Sequence, residues 1–234
     1  MKPYRLMIVL VQVLVALLIL WGCCTPPKIN SVGVRLIPQQ RDWWCWAAST
    51  EMVSEYYIGA LKGIPQCQSA SYIHNKNYDP DVDCCTGCTG NCPCWGQNWG
   101  ASIGDIKNNW THWNFDYTYI NANLPWEDGD KDDVKDTLSS TPFCKKSPIY
   151  VVWWWYPNPG WNGGHVVTIY GYAEIGADHY VSYYNPLPES CDNSTGTCTS
   201  VAGGEDVVST YAAFADDGVH KWGDTFYNFK YKGQ

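Results

Sequence analysis

Two runs of β-branched and aromatic residues, separated by a short turn-forming segment, constrain the fold of this chain most strongly. The runs are residues 163–172 and 179–186, and segment 176–178 between them favours a turn. The simplest structure for this pattern is an antiparallel hairpin. In a symmetric register, residues whose numbers sum to about 350 lie opposite each other. We therefore expect His165 and Asn185 to be directly opposed, with Cβ atoms about 4.5–5.5 Å apart.

A helix is predicted upstream, beginning at Cys45. Apolar residues recur there at helical spacing, and a glycine follows them as a stop signal. The stripe consists of Ala48, Met52, Val53, Tyr56 and Tyr57, and the stop is Gly59. Cys45 would then lie beside unpaired backbone N–H groups and the positive end of the helix dipole. Both stabilise a thiolate, so we predict a lowered pKa for this thiol.

A glutamine, Gln39, stands six residues before Cys45. A thiolate that attacks a carbonyl carbon leaves negative charge on the carbonyl oxygen, which must be stabilised by N–H donors. The backbone N–H of Cys45 and the side-chain amide of Gln39 can supply them. With His165 as base and Asn185 as its orienter, the set forms a Cys-His-Asn arrangement for nucleophilic catalysis. The alternative interpretation of Cys45 is a buried structural cysteine.

These motifs resemble those of papain-like cysteine peptidases, and in particular a bacterial secreted branch that includes effector proteases and lipoproteins. The segments that carry the resemblance are residues 39–49, Gly164-His165, Asn185-Pro186, Gln66-Cys67 and Asp83-Cys84-Cys85. The resemblance implies Cys45 as nucleophile, His165 as general base and acid, and Asn185 as orienter, with Gln39 in the oxyanion hole. Several members of that branch have an aspartate as third residue, so a nearby aspartate is the alternative orienter.

The resemblance also implies an α+β fold in two lobes, over residues 33–234. We expect a helical lobe with a cysteine-rich insert at 33–146 and a β lobe at 147–234. The helix carrying Cys45 would pack on the antiparallel sheet carrying His165 and Asn185. The implied activity is hydrolysis of peptide bonds in a peptide or protein substrate through a thioester intermediate.

Two alternative functions remain open at the level of sequence. An amidase or acyl transferase could use the same residues, because the thioester intermediate is shared. An aromatic-rich surface binding protein could use the same fold without catalysis, with Cys45 inert in a disulfide.

The N-terminus has the features of a lipoprotein signal peptide. An apolar run over residues 6–20 is shorter than the roughly 20 residues needed to span a bilayer. We therefore predict a signal peptide over 1–22 and lipidation of Cys23, with a transmembrane anchor as the alternative. Residues 23–32 would form the lipidated N-terminus and an extended tether. We expect an exported protein of the bacterial cell envelope, at the outer membrane, in the periplasm or on the cell surface, attached to the membrane by its lipid.

Twelve cysteines in 234 residues indicate an oxidising compartment. Cys191 and Cys198 enclose a polar turn-forming loop, and we predict a disulfide between them; the connectivity of the other cysteines stays open. Five cysteines cluster between Cys84 and Cys94. A disulfide-stapled loop is favoured there over a zinc or iron–sulfur site, because exported chains usually oxidise such cysteines. We expect no cofactor and no metal.

The charge and the aromatic content limit the classes of molecule that the protein is expected to bind. The net charge is −8 and no basic patch stands out, which disfavours nucleic-acid binding. Fourteen Trp and 17 Tyr are present, and we expect most of these rings to be buried, with a platform for sugars or peptides as the alternative. Trp161 is expected to shelter His165 from water. We expect a monomer.

Overall fold

The computed structural model describes most of the chain after the N-terminal segment. The described residues are 29–78, 82–86, 94, 100–121, 147–155, 163–187, 191–192, 197–198 and 204–233. Several predictions concern residues outside these ranges, namely the signal peptide at 1–22, the lipidated Cys23 and the shielding role of Trp161.

An antiparallel sheet of seven strands organises the described residues. The strands are β1 (Ile29–Ser31), β2 (Phe115–Ile120), β3 (Ile149–Trp155), β4 (Gly164–Ile175), β5 (Asp178–Asn185), β8 (Glu205–Thr210) and β9 (His220–Tyr231). Their order is β2-β9-β3-β4-β5-β8, and β1 pairs with β4. Two further strands, β6 (Cys191–Asp192) and β7 (Thr197–Cys198), form a separate small sheet.

Four helices accompany the sheet within the described residues. They are α1 (Cys45–Ile58), α2 (Gln66–Asn77), α3 (Ile103–His112) and α4 (Tyr211–Ala215). Helix α1 begins at Cys45, as predicted, and is followed by Gly59, whose φ of 118° is a conformation that favours glycine. Of the predicted apolar stripe, Ala48, Met52 and Val53 are fully buried. The α+β class with an antiparallel sheet is therefore confirmed.

The hairpin of β4 and β5 forms as predicted, but its register differs from the prediction. Ile175 pairs with Asp178 at the turn, and Thr168 pairs with Tyr184 near the other end. His165 pairs with Trp153 of β3 instead of Asn185. The expected direct opposition was wrong, because the symmetric register ignored both the two-residue turn and a register shift between Ile169 and Gly171.

The two faces of the sheet bury separate apolar clusters. Neighbouring residues of β4 point to opposite faces, as strand geometry requires: Val166 packs in the cluster that contains Cys45, and Val167 in the cluster that contains Met52. Helix α1 supplies residues to both clusters. The helix is consequently buried along most of its circumference, which holds its N-terminus firmly against β4.

Two strands of the sheet come from parts of the chain outside the expected β lobe. Ile29–Ser31, at the end of the predicted tether over 23–32, forms β1, and its backbone pairs with β4. Strand β2 lies before residue 147, within the predicted helical lobe, yet it pairs with β9. In both cases strand pairing satisfies backbone hydrogen-bonding groups that the local sequence pattern did not assign.

Two disulfides lie within the described residues, Cys67–Cys85 and Cys84–Cys94. They confirm a stapled loop for these members of the cysteine cluster and indicate an oxidising compartment. Cys191 and Cys198 are directly paired through the backbone of β6 and β7, and the disulfide between them remains a prediction. In the part of the chain that the structure describes, every helix is too short or too polar to cross a membrane.

Candidate active site

Cys45 is a free thiol at the first position of α1. The N-cap residue, Trp44, makes no side-chain hydrogen bond to the helix. The first N–H groups of the helix therefore keep their capacity to bind a negatively charged atom. A free Cys45 contradicts the version of the binding-protein alternative in which this cysteine is locked in a disulfide.

The pKa of Cys45 is raised to about 11, so the predicted lowering was wrong. The first cause is burial, since only 8 % of the residue is exposed and a thiolate loses its hydration there. Hydrogen bonds from the backbone at Val166, Trp46 and Cys45 itself lower the pKa, and they are outweighed. The helix N-terminus acts in the predicted direction, but desolvation is the larger effect.

His165 and Asn185 are in direct contact despite their offset in the hairpin. The Nε2 atom of His165 lies 2.7 Å from Oδ1 of Asn185. The orientation of the amide is set by two other contacts: Oδ1 accepts the backbone N–H of Leu187 at 3.1 Å, and Nδ2 donates to Glu205 at 3.2 Å. Because an amide oxygen only accepts hydrogen bonds, Nε2 of His165 carries the proton, and Nδ1 keeps its lone pair.

Aromatic rings surround His165. Trp155 stacks on the imidazole with ring centroids 6.1 Å apart, and the ring of Trp153 lies 6.3 Å away. The pKa of His165 is lowered to about 4, mainly by burial. The hydrogen bond that His165 donates to Asn185 raises the pKa, and nearby His220 lowers it further by a smaller amount. The imidazole is therefore neutral at ordinary pH and fit to act as a base.

Cys45 contacts the residue that follows His165 in β4. The sulfur of Cys45 is hydrogen-bonded by the backbone at Val166, which places the thiol beside that strand position. Within the described residues, Cys45 and His165 are not hydrogen-bonded to each other. Catalytic hydrogen bonds of this kind often tighten only when substrate is bound.

Gln39 is also buried, with 2 % of the residue exposed. Its backbone N–H donates to the carbonyl of Pro186 at 2.9 Å, which ties it to the chain just after Asn185. Its Nε2 donates to the carbonyl of Arg41 at 3.0 Å, which is the one hydrogen bond of this atom among the described residues. An amide nitrogen has two hydrogens, so one N–H of Gln39 remains for another acceptor.

The sequence analysis did not identify two residues that hold the proposed site residues in place. Gln66, fully buried at the start of α2, accepts from the backbone of Gln40 and donates to the carbonyl of Pro38, holding the segment around Gln39. Glu205 holds the amide of Asn185. No local signal could have identified Glu205, because its partner lies 20 residues away on the neighbouring strand.

A cavity of about 880 Å³ opens beside the thiol. Cys45 and Val166 line it, whereas His165 and Gln39 are buried and do not line it. The other lining residues are mostly aromatic, small or apolar, and they include Trp43, Trp46, Ala101, Ile103, Ile106, Tyr119, Val152, Trp154, Gly163, Gly164 and Asp224. The cavity is large enough for several substrate side chains.

Comparison with known proteins gives little further guidance. No family model matches the chain, and no curated protein matches it. Among solved structures, it is similar to a digestive procathepsin L2 proteinase from the larval midgut of Tenebrio molitor, with a TM-score of 0.33 and 14 % identity over 78 % of this chain and 68 % of that one. A likeness this weak carries no weight for fold or activity.

Proposed function

We propose that this chain is a papain-like cysteine peptidase that hydrolyses peptide bonds through Cys45, His165 and Asn185. The observation that carries the proposal is the contact of His165 with Asn185, 2.7 Å between Nε2 and Oδ1. This contact leaves Nδ1 of His165 available as a base. The next residue of the strand, Val166, contacts through its backbone the thiol of Cys45, which is the only free thiol among the described residues.

The reaction begins with a neutral pair, because the thiol has a raised pKa and the imidazole a lowered one. As Sγ of Cys45 attacks the substrate carbonyl carbon, its proton passes to Nδ1 of His165. The oxygen that becomes negative is stabilised by the backbone N–H of Cys45 and the remaining N–H of Gln39. The imidazolium is held by Oδ1 of Asn185.

The second half of the reaction reverses these proton transfers. The imidazolium donates its proton to the leaving amine, the C–N bond breaks and a thioester remains on Cys45. Nδ1 then takes a proton from water, whose oxygen attacks the thioester carbon. The sulfur leaves with the proton returned from His165, and the carboxylic acid product is released.

Turnover by the full chain tests this proposal. Hydrolysis of a mixture of peptides is measured for the wild type, Cys45→Ala and His165→Ala, with His179→Ala as control. His179 lies on the same hairpin but contacts Tyr172, away from Cys45. The wild type and His179→Ala should cleave the mixture, while the other two variants should be inactive but folded. Cleavage by Cys45→Ala would refute the proposal.

Product analysis separates peptide hydrolysis from the related acyl chemistry. A peptidase releases a free carboxylate and an amine from a backbone amide, whereas an acyl transferase joins the acyl group to an added amine. Exclusive formation of the transfer product, or cleavage confined to side-chain amides, would replace the peptidase by the amidase or transferase alternative.

We also propose the cellular setting that the N-terminal sequence indicates, a lipoprotein cleaved before Cys23 and carried on the cell envelope. The two-lobed division at residues 146 and 147 belongs to the same proposal, with β2 joining the sheet from the first part. Incorporation of a labelled fatty acid into the wild type and its loss in Cys23→Ala would support the lipid anchor; equal labelling of both would exclude Cys23 as the acceptor.

A further inference from the structure

The cavity beside Cys45 contains a buried carboxylate. Asp224 of β9 is 4 % exposed, and it is the only charged side chain among the described residues that line the cavity. None of the catalytic roles proposed above uses it. A carboxylate in such a place requires a physical reason, because desolvating a charge is costly.

Two neutral donors hold this carboxylate in place. The hydroxyl of Tyr119 donates to Oδ1, and Nε1 of Trp154 donates to Oδ2 at 3.1 Å. Burial, together with the adjacent carboxylate, raises the pKa of Tyr119, so the phenol stays protonated as a donor. These donors fix the orientation of the carboxylate without neutralising it, and each oxygen keeps a further lone pair.

No cationic side chain compensates the charge within the described part of the chain. Among the described residues, no lysine, arginine or histidine forms an ion pair with Asp224 within 4.0 Å. Lys107 is nearby, but its Nζ lies over the face of the Tyr119 ring, 3.4 Å from the centroid. The position next to Asp224 inside the cavity is therefore electrostatically favourable for a cation from outside the chain.

The aromatic wall beside Asp224 depends on two glycines. A Cβ at Gly223 would lie 2.2 Å from Cδ1 of Trp154, and one at Gly164 would lie 3.1 Å from Cε3. The indole of Trp154 thus lies against the backbone of both neighbouring strands, with its Nε1 directed at Asp224. A flat indole next to a carboxylate suits a planar cation, which can stack on the ring while it bonds to the oxygens.

We propose that this cavity is a subsite for a guanidinium side chain of the substrate, with Asp224 as its counter-charge and Trp154 as its stacking surface. The inference rests on the proposed peptidase function, since it assigns arginine-containing peptides as the substrate class. The remaining lone pairs of the two oxygens match the paired N–H groups of a guanidinium. The net charge of −8 also attracts cationic peptides to the protein.

Binding and turnover test the subsite separately. In the full chain carrying Cys45→Ala, which cannot form a thioester, the binding of benzoyl-arginine amide and benzoyl-citrulline amide is measured by calorimetry. Citrulline matches arginine in shape but lacks the charge. We expect the arginine probe to bind about ten- to a hundredfold more tightly, as for a hydrogen-bonded charge pair.

Two variants show which residue causes a preference for the arginine probe. Asp224→Asn keeps the shape and can still accept from Trp154, and it should bind both probes equally. Tyr119→Phe retains the carboxylate and should keep the preference for arginine. Equal binding of the two probes by the parent protein, or equal weakening of both by Asp224→Asn, would overturn the subsite.

The outcome does not depend on the chemistry at Cys45. If arginine is preferred in binding but the wild type hydrolyses no peptide, the subsite stands and the peptidase proposal fails. If peptides are hydrolysed with equal kcat/KM for arginine and citrulline, the peptidase stands and the subsite fails. If Asp224→Asn does not fold, the comparison of the two probes in the parent protein still decides.

Discussion

The amide of Asn185 reaches the imidazole of His165 because Tyr170 of β4 forms a bulge and has no paired residue in β5. Ile169 pairs with Tyr183 and Gly171 with Ser182, so Tyr170 is the extra residue. If Tyr170 instead paired with Tyr183, the register at the turn would continue, Asn185 would lie opposite Thr168, and its side chain would point to the opposite face of the sheet from His165. The bulge therefore determines that the contact of 2.7 Å can form.

Deletion of Tyr170 should leave turnover largely intact. Removing the extra residue makes the ladder continuous, but Ile169 still pairs with Tyr183 and Thr168 with Tyr184, so His165 and Asn185 stay on the same face of the sheet. The matched control is Tyr170→Ala, which keeps the residue count and loses only the side chain, including its hydrogen bond to Asp206. Peptide hydrolysis and circular dichroism of both variants provide the measurement. Loss of activity in a folded deletion variant would contradict this register.

Asn185→Asp should shift the acid limb of kcat/KM to higher pH. The pKa of His165 is lowered to about 4 in the wild type, and an anionic oxygen at the position of Oδ1 would raise it by stabilising the imidazolium. Activity requires the neutral base, so the raised pKa removes activity at a higher pH than before. Asn185→Ala serves as control, and it should lose roughly tenfold in kcat/KM with no upward shift. An unchanged limb in Asn185→Asp would show that this side chain does not contact the base during turnover.

Alkylation of Cys45 by iodoacetamide should accelerate continuously through alkaline pH. The raised pKa of about 11 means that the thiolate fraction grows by about tenfold for each pH unit below that value. The rate is followed by mass spectrometry without reductant, so that the disulfides stay closed, and Cys45→Ala gives the background. A plateau already reached near pH 7 would instead indicate a preformed thiolate–imidazolium pair.

Folding stability should fall as the solution is acidified, in part because of His165. Its folded pKa of about 4 is below the ordinary value of 6.5, so between these pH values the unfolded chain binds more protons than the folded one. The stability that depends on neutral His165 is complete above about pH 6.5 and is lost towards pH 4, a loss of about 3 kcal/mol.

Urea unfolding of the wild type and His165→Gln between pH 7 and pH 4 measures this contribution. Glutamine does not titrate, and His220 is retained in both proteins, so the difference between their pH dependences reports His165. The wild type should lose more stability on acidification than the variant. Parallel curves would mean that His165 titrates equally in the folded and unfolded chains.

The local elements of the site follow from sequence patterns. The spacing of Ala48, Met52 and Val53 predicts a buried helix, and α1 does begin at Cys45. The residue pattern on both sides of segment 176–178 predicts the hairpin of β4 and β5. These predictions succeed because helix and strand periodicity place apolar residues on one face within a short stretch of chain.

Local sequence patterns could not predict which distant strands pair with each other. Tyr119, Trp154 and Asp224 meet beside the cavity although they come from β2, β3 and β9. The order of these strands in the sheet depends on packing of the whole domain, so no local spacing identifies the three as neighbours. The same holds for Glu205, which reaches Asn185 from an adjacent strand.

The sequence by itself therefore determined the types of element, the reactive residues proposed for them and the position of Cys45 at a helix start. Only the tertiary structure decided which residues meet and how strongly they ionise. The reason is that periodicity is a property of neighbouring residues, whereas the pKa of Cys45 and the face on which Asn185 lies depend on burial and strand register. Both are set by groups remote in the chain, which come together only when the sheet is complete.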